Sequence, residues 1–248
     1  MERDSATQDL TMPQFIDGIS KAPSAAHLCR LVRDTAEGTA KAILKFQEAK
    51  PQISTHSALE YVTRYFDGVD YDFLMNQTHH VRNNIPMAKA AREILPLAQL
   101  YKSEFPMNWF KPSKKAIVPL SQKLLVPIQP MGVAGTPNGP MVIAGQSWKT
   151  ISLGPFEFKL WASILKLGVL DNDPDLSDFH WLDMTSPASR EDRELSIRSA
   201  ESVGFFDDNE LSEIISNIEA AMMIVANTPR KKREKKRPQN PNQGSFFD

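Results

Sequence analysis

The sequence predicts an α+β fold: a helical N-terminal half, then a β-hairpin–helix–strand–helix core, then a disordered basic C-terminal tail. Three observations predict it. Apolar residues recur at helical spacing early in the chain, as in Leu28, Val32, Ala36, Ala40, Ile43 and Leu44. Residues 116–149 instead hold apolar runs interrupted by prolines, and Asn138-Gly139 between two of them signals a hairpin. From Asn227 onward apolar residues vanish until Phe246 and Phe247, and basic residues take over. The composition divides the chain into a helical region over 1–105, an α/β core over 106–226 and a tail over 227–248.

Ser24 is a plausible N-cap for one long helix over 24–50, stopped by Pro51, with Gly38 as a close contact or a break inside it. A second helix over 57–66 is ended by Asp67 and Gly68, and a third covers 71–82. A fourth runs over 86–104, where Pro96 predicts a kink. Pro127 and Pro130 mark the following apolar run as an edge strand, or as two pieces broken by a bulge. Residues 123–135 and 140–149 are expected to pair as antiparallel strands. The helix over 155–167 starts on Pro155, a favourable first-turn residue, and is expected to pack through Leu160, Ile164 and Leu167. Strands follow at Phe179 and over 194–200. Asp207 with Glu210 three residues later is a capping-box start for a last helix carrying Leu211, Ile214, Ile215, Ile218, Ala221, Met222 and Val225.

The apolar fraction of 41% and charged fraction of 24% are those of an ordinary globular chain. A single cysteine, Cys29, excludes an internal disulfide and fits a reducing, cytoplasmic location. No apolar run approaches the ~20 residues that span a bilayer, and no membrane partner is expected. The net charge is −1, yet residues 230–248 hold seven basic residues against Glu234 and Asp248, a net +5, which leaves −6 on the rest. An acidic body with a basic tail favours an anionic partner for the tail. Oligomeric state is not written in any of these patterns.

Candidate sites are few. His79 and His80 diverge by about 100° on a helix and do not share a metal easily, and His27 and Cys29 have the wrong helical spacing. Gly132, Gly135 and Gly139 lie among prolines and read as turn glycines rather than a phosphate loop. Lys111, Lys114, Lys115, Lys123 and Lys149 fall in a stretch with no Asp or Glu between Phe105 and Phe156. They make a surface suited to a phosphate backbone or to guarding a sheet edge.

A hairpin, a strand ending in Ser147-Trp148-Lys149-Thr150, an amphipathic helix and a further strand resemble the PD-(D/E)XK nuclease core, in its RecB-like branch. The resemblance covers residues 116–186. It implies an enzyme that binds a divalent metal such as Mg²⁺ through carboxylates and activates water for phosphodiester attack. Here Ser147 stands where the strand acid belongs, and Lys149, Glu157 and Asp183 are the residues that could remain of a catalytic set. With the strand acid gone, the expectation is a lost metal site, no cofactor and no nuclease activity.

The C-terminus is the sharpest feature. Arg230, Lys231, Lys232, Arg233, Lys235, Lys236 and Arg237 form a basic run, and after a polar spacer the chain reads Gln243-Gly244-Ser245-Phe246-Phe247-Asp248. These last residues resemble the peptide with which bacterial replication and repair proteins dock on the sliding clamp, commonly Q-x-(S/D)-L-F. Gln243, Ser245 and Phe247 match, and Phe246 stands where leucine is usual. The resemblance implies a DNA-associated accessory protein of replication, repair or a mobile element, held on the clamp by its tail and on DNA by its basic run. The alternatives are a divergent metal-dependent nuclease tethered by the same tail, or a partner-binding protein with no tie to DNA.

Overall fold

The computed structural model describes residues 23–48, 57–148, 152–186 and 191–228. The helix expected over 24–50 is two helices, α1 (Ala25–Leu31) and α2 (Ala36–Glu48). The break lies upstream of Gly38, where two threonines offer the backbone other partners. Thr39 Oγ1 accepts the Arg33 N–H at 2.9 Å, and Thr35 Oγ1 accepts the Gly38 N–H at 3.1 Å, so the helix ends and restarts on side-chain oxygens. The next helices follow the sequence closely: α3 (Ala58–Phe66), α4 (Tyr71–His80) and α5 (Ile85–Glu104), the last with Pro96 inside. Gly68 closes α3 with φ at +92°, and the Asp70 side chain accepts the Phe73 N–H at 2.8 Å to open α4.

The strands are β1 (Trp109–Pro112), β2 (Ala116–Pro119), β3 (Leu125–Ile128), β4 (Gly132–Thr136), β5 (Gly139–Gln146), β6 (Phe179–Asp183) and β7 (Ser196–Ser199). Only part of the 123–135 run pairs with the following strand: β4 is antiparallel to β5, whereas β3 forms a separate two-stranded sheet with β2. Pro127 sits within β3, opposite Ile117. A two-stranded ribbon has only edges, so a residue without an N–H is tolerated there and not in the middle of the main sheet. That main sheet runs β1-β4-β5-β6-β7, with β5 and β6 parallel across helix α6 (Pro155–Gly168) and the other neighbours antiparallel. A short α7 (Ala200–Val203) precedes α8 (Asp208–Asn227), which opens on the expected box: Asp207 accepts the Asn209 and Glu210 N–H groups, each at 2.9 Å, and Glu210 accepts that of Asp207 at 3.1 Å.

Helices cover both faces of this sheet, so the composition boundary at Phe105 does not separate two cores. Val142, Ala144, Phe179 and Trp181 point to one face and pack with α1, α2, α6 and α8; Ala134, Met141, Ile143 and Leu182 point to the other and meet α3 and α5. On the first face Trp161 of α6 lies edge-on to Trp181, ring centroids 4.3 Å apart. Leu160 and Ile164 are fully buried as expected, but Leu167 is 39% exposed. The last turn of α6 meets β2 through Gly168, where a Cβ would fall 2.2 Å from Val118, so the glycine makes the approach and Leu167 faces outward. No helix among the described residues is long and apolar enough to cross a membrane.

On the second face, His180 shares a 2.9 Å hydrogen bond with the Tyr101 hydroxyl and stands edge-on to Phe105. Burial pushes the tyrosine hydroxyl far up and the imidazole down, the Asp178 charge opposing the latter. The folded chain therefore resists protonating this imidazole more than the unfolded chain does. Its contribution to stability is complete above the ordinary histidine value of about 6.5 and is lost as pH falls from there through the depressed folded value. In urea melts the chain is expected to lose stability between pH 7 and pH 5, and His180→Phe to lose less of it. Equal losses in both would discharge His180 from the acid sensitivity.

Candidate functional site at the ends of β5 and β6

Parallel strands joined by a crossover helix leave their carboxyl ends open beside the helix start, and in α/β sheets ligands gather there. Here β5 ends on Gln146 and β6 on Asp183, directly opposite each other in the parallel register. Alternation along each strand puts them on the side of Ala144 and Trp181, toward α6. Both are 3% exposed. One Asp183 oxygen accepts the Ser152 hydroxyl and lies 3.9 Å from the Arg198 guanidinium. Arg198, from β7, also donates to the Leu153 carbonyl at 2.9 Å and to Ser152 Oγ at 3.1 Å, and its guanidinium lies 5.0 Å from the centre of the Phe158 ring. Among the described residues, the other Asp183 oxygen, both amide atoms of Gln146 and the Ser186 hydroxyl are buried without a hydrogen-bond partner. Each such atom costs on the order of 1–3 kcal/mol, and native chains keep few of them, commonly where function asks for it.

The opposite side of the same strand ends is closed by Arg193, whose side chain is 3% exposed. It donates to the carbonyls of Ser147 at 3.0 Å, Trp148 at 3.0 Å and Met184 at 2.7 Å, and to Glu93 of α5 at 2.8 Å. Trp148 emerges beside it, with Arg30 over its ring at 4.8 Å and His27 at 4.9 Å, and His27 in turn meets the exposed Phe46 at 5.4 Å. Burial pulls the Arg30 guanidinium below its ordinary value; the Glu157 charge opposes this and Arg33 adds to it.

Among the nuclease candidates, Lys149 lies outside the described residues, and Glu157 and Asp183 are anchored separately. Glu157 accepts the Gly154 N–H at 2.6 Å and caps α6, while Asp183 holds Ser152. The Glu157-Phe158-Lys159 string splits as a helix dictates: Lys159 reaches Glu210 at 3.5 Å and the Phe206 ring at 4.3 Å instead. No group of three or more His, Cys, Asp or Glu side chains placed to hold a metal occurs among the described residues. Ser147, in the place of the strand acid, is buried.

Lys111, Lys114 and Lys115 are exposed on the edge strand β1 and the connection that follows it, whereas Lys123 lies at the closed end of the β2–β3 hairpin. Four residues of β2 put those ends about 13 Å apart, so Lys123 stands apart from the other three rather than joining them in one patch. Arg230, Lys231, Lys232, Arg233, Lys235, Lys236 and Arg237, and the peptide residues Gln243, Ser245, Phe246 and Phe247, lie outside the described residues. Sequence reasoning missed Gln146, Ser152, Arg193 and Arg198. Only Gln146 left a signal, as the one polar side chain that ends an apolar run. A scan against protein-family profiles finds no match for this chain, and a search of curated proteins finds none.

Proposed function

We propose that the protein is a cytoplasmic, DNA-associated accessory factor of replication, repair or a mobile element, which docks on the bacterial sliding clamp through its C-terminal tail and acts as a tether rather than a catalyst. One observation carries the reading: within residues 230–248 a run of seven basic side chains is followed by Gln243-Gly244-Ser245-Phe246-Phe247. A glutamine amide and adjacent aromatics suit a pocket that takes hydrogen bonds and apolar anchors together. The exposed Lys111, Lys114 and Lys115 on the body offer a second, smaller contact for a phosphate backbone. Titration calorimetry of the full chain into a purified bacterial clamp is the test. Heat that a known clamp peptide suppresses is expected; no heat at high micromolar concentrations sinks the clamp reading and leaves only a basic tail.

A second reading, a divergent PD-(D/E)XK nuclease on the same tether, draws support from one feature. The β4–β5 hairpin, helix α6 and the parallel β6 follow one another in the order of the resemblance over residues 116–186, and Asp183 at the end of β6 keeps an oxygen with no hydrogen-bond partner among the described residues. Against it stand the engagement of Glu157 as a cap and of Asp183 with Ser152 and Arg198. Incubation with single- and double-stranded DNA in Mg²⁺ or Mn²⁺ is expected to yield no cleavage. Cleavage that disappears in Lys149→Ala would overturn the purely tethering role.

A further inference from the structure

The last described residue, Thr228, follows directly on α8, and an apolar cavity of about 270 Å³ opens on that same helix a few turns earlier. Leu124 from the β2–β3 hairpin and Ala220, Met222 and Met223 from α8 supply its apolar wall, with Lys123 and Glu219 beside them. Met223 at its rim is 51% exposed. The cavity is below the ~300–1,000 Å³ of small-molecule clefts, which suits an aromatic side chain or two better than a folded partner. Methionine walls adapt their shape to such a guest.

Charge and reach point to the guest. Helix α8 carries Asp208, Glu210, Glu213 and Glu219 and no basic residue, while the segment that leaves it carries seven basic residues. At 1.5 Å per residue the cavity lies roughly 6–17 Å back along the helix axis from Asn227. A flexible coil of seventeen residues, the number in 229–245, would span about 21–25 Å. A tether longer than its span still reaches it, at an effective concentration that falls only gradually with the added length.

We infer that Phe246 and Phe247 occupy this cavity in the free protein, the basic run lying against α8, a helix with acidic and no basic side chains. The docking itself needs no clamp. Its consequence rests on the clamp reading: the two phenylalanines are shared between the body and the clamp pocket, so apparent clamp affinity is reduced by the fraction of tails held on the body.

Disulfide trapping in the full chain tests this without clamp or DNA. The native Cys29 is fully buried and burial raises its thiol well above the ordinary value, so it does not compete. Two double variants, Ser216→Cys with Ser245→Cys and Ala220→Cys with Ser245→Cys, place one thiol at the cavity and one beside Phe246. Ser103→Cys with Ser245→Cys, on the α5 side of the sheet, is the control. At least one cavity pair is expected to oxidise on the order of tenfold faster than the control, at a rate independent of protein concentration. Adding Phe246→Ala and Phe247→Ala should return that rate to the control's. The inference is overturned if neither cavity pair outruns the control, if the alanines change nothing, or if the rate scales with protein concentration, which would mean the tail of a second copy. Failure here leaves clamp titration untouched, and failure there leaves the trapping result standing.

Discussion

Phe246→Ala combined with Phe247→Ala is expected to abolish clamp binding while leaving non-specific DNA binding nearly intact. Each phenylalanine contributes on the order of 1.5–3 kcal/mol when fully enclosed. Together that is roughly 3–6 kcal/mol, or about 10²–10⁴ in Kd. The basic run works through counterion release instead. Replacing Lys231, Lys232, Lys235 and Lys236 with glutamine should flatten the salt dependence of duplex binding by up to about 0.9 in log–log slope per lost phosphate contact, with clamp affinity spared. A flexible coil of fourteen residues, the number in 229–242, would reach about 19–22 Å, enough for both contacts to be made at once. Anisotropy of labelled DNA over a salt series, beside calorimetry with the clamp, separates the two. If either set of substitutions lowers both affinities in parallel, the tail is one binding element and the division of labour fails.

Arg193→Met is expected to destabilise the fold by about 1–3 kcal/mol for each buried carbonyl left without its donor. The guanidinium ties the end of β5, through Ser147 and Trp148, to Met184 beyond β6 and to Glu93 on α5. Glu93 is partly exposed and can rehydrate, so the main loss comes from carbonyls left inside without donors. Arg193→Lys should fall in between, because a point charge cannot replace a planar fork that reaches several acceptors at once. Urea denaturation reads the difference as a shift in midpoint at constant slope. A loss below about 1 kcal/mol for the methionine variant would mean that the network is dispensable.

The sequence by itself determined the fold class and most of the helices. The start of α8 is set by Asp207 and Glu210, the end of α3 by Gly68 and the hairpin at Asn138-Gly139 by a glycine at φ +114°, and each signal acts within about four residues of its source. It also placed the strands β6 and β7 and gave the tail its opposite charge, since both are patterns along the chain. Tertiary structure decided the rest. Whether β3 pairs with β4's neighbour or with β2 depends on which strands compete for an edge, and no local preference of Pro127 states that. The break between α1 and α2 turned on Thr35 and Thr39 winning backbone groups that a helix would have used, with Asn217 of α8 donating to the Arg33 carbonyl at 2.9 Å across the fold. The polar site was the least legible of all. Gln146, Asp183, Ser152, Arg198 and Arg193 come from segments up to about fifty residues apart, and Glu93 joins from a hundred residues away. Burial beside a chosen neighbour turns an ordinary glutamine or arginine into a structural or functional group, and the neighbour exists only once the sheet order is set.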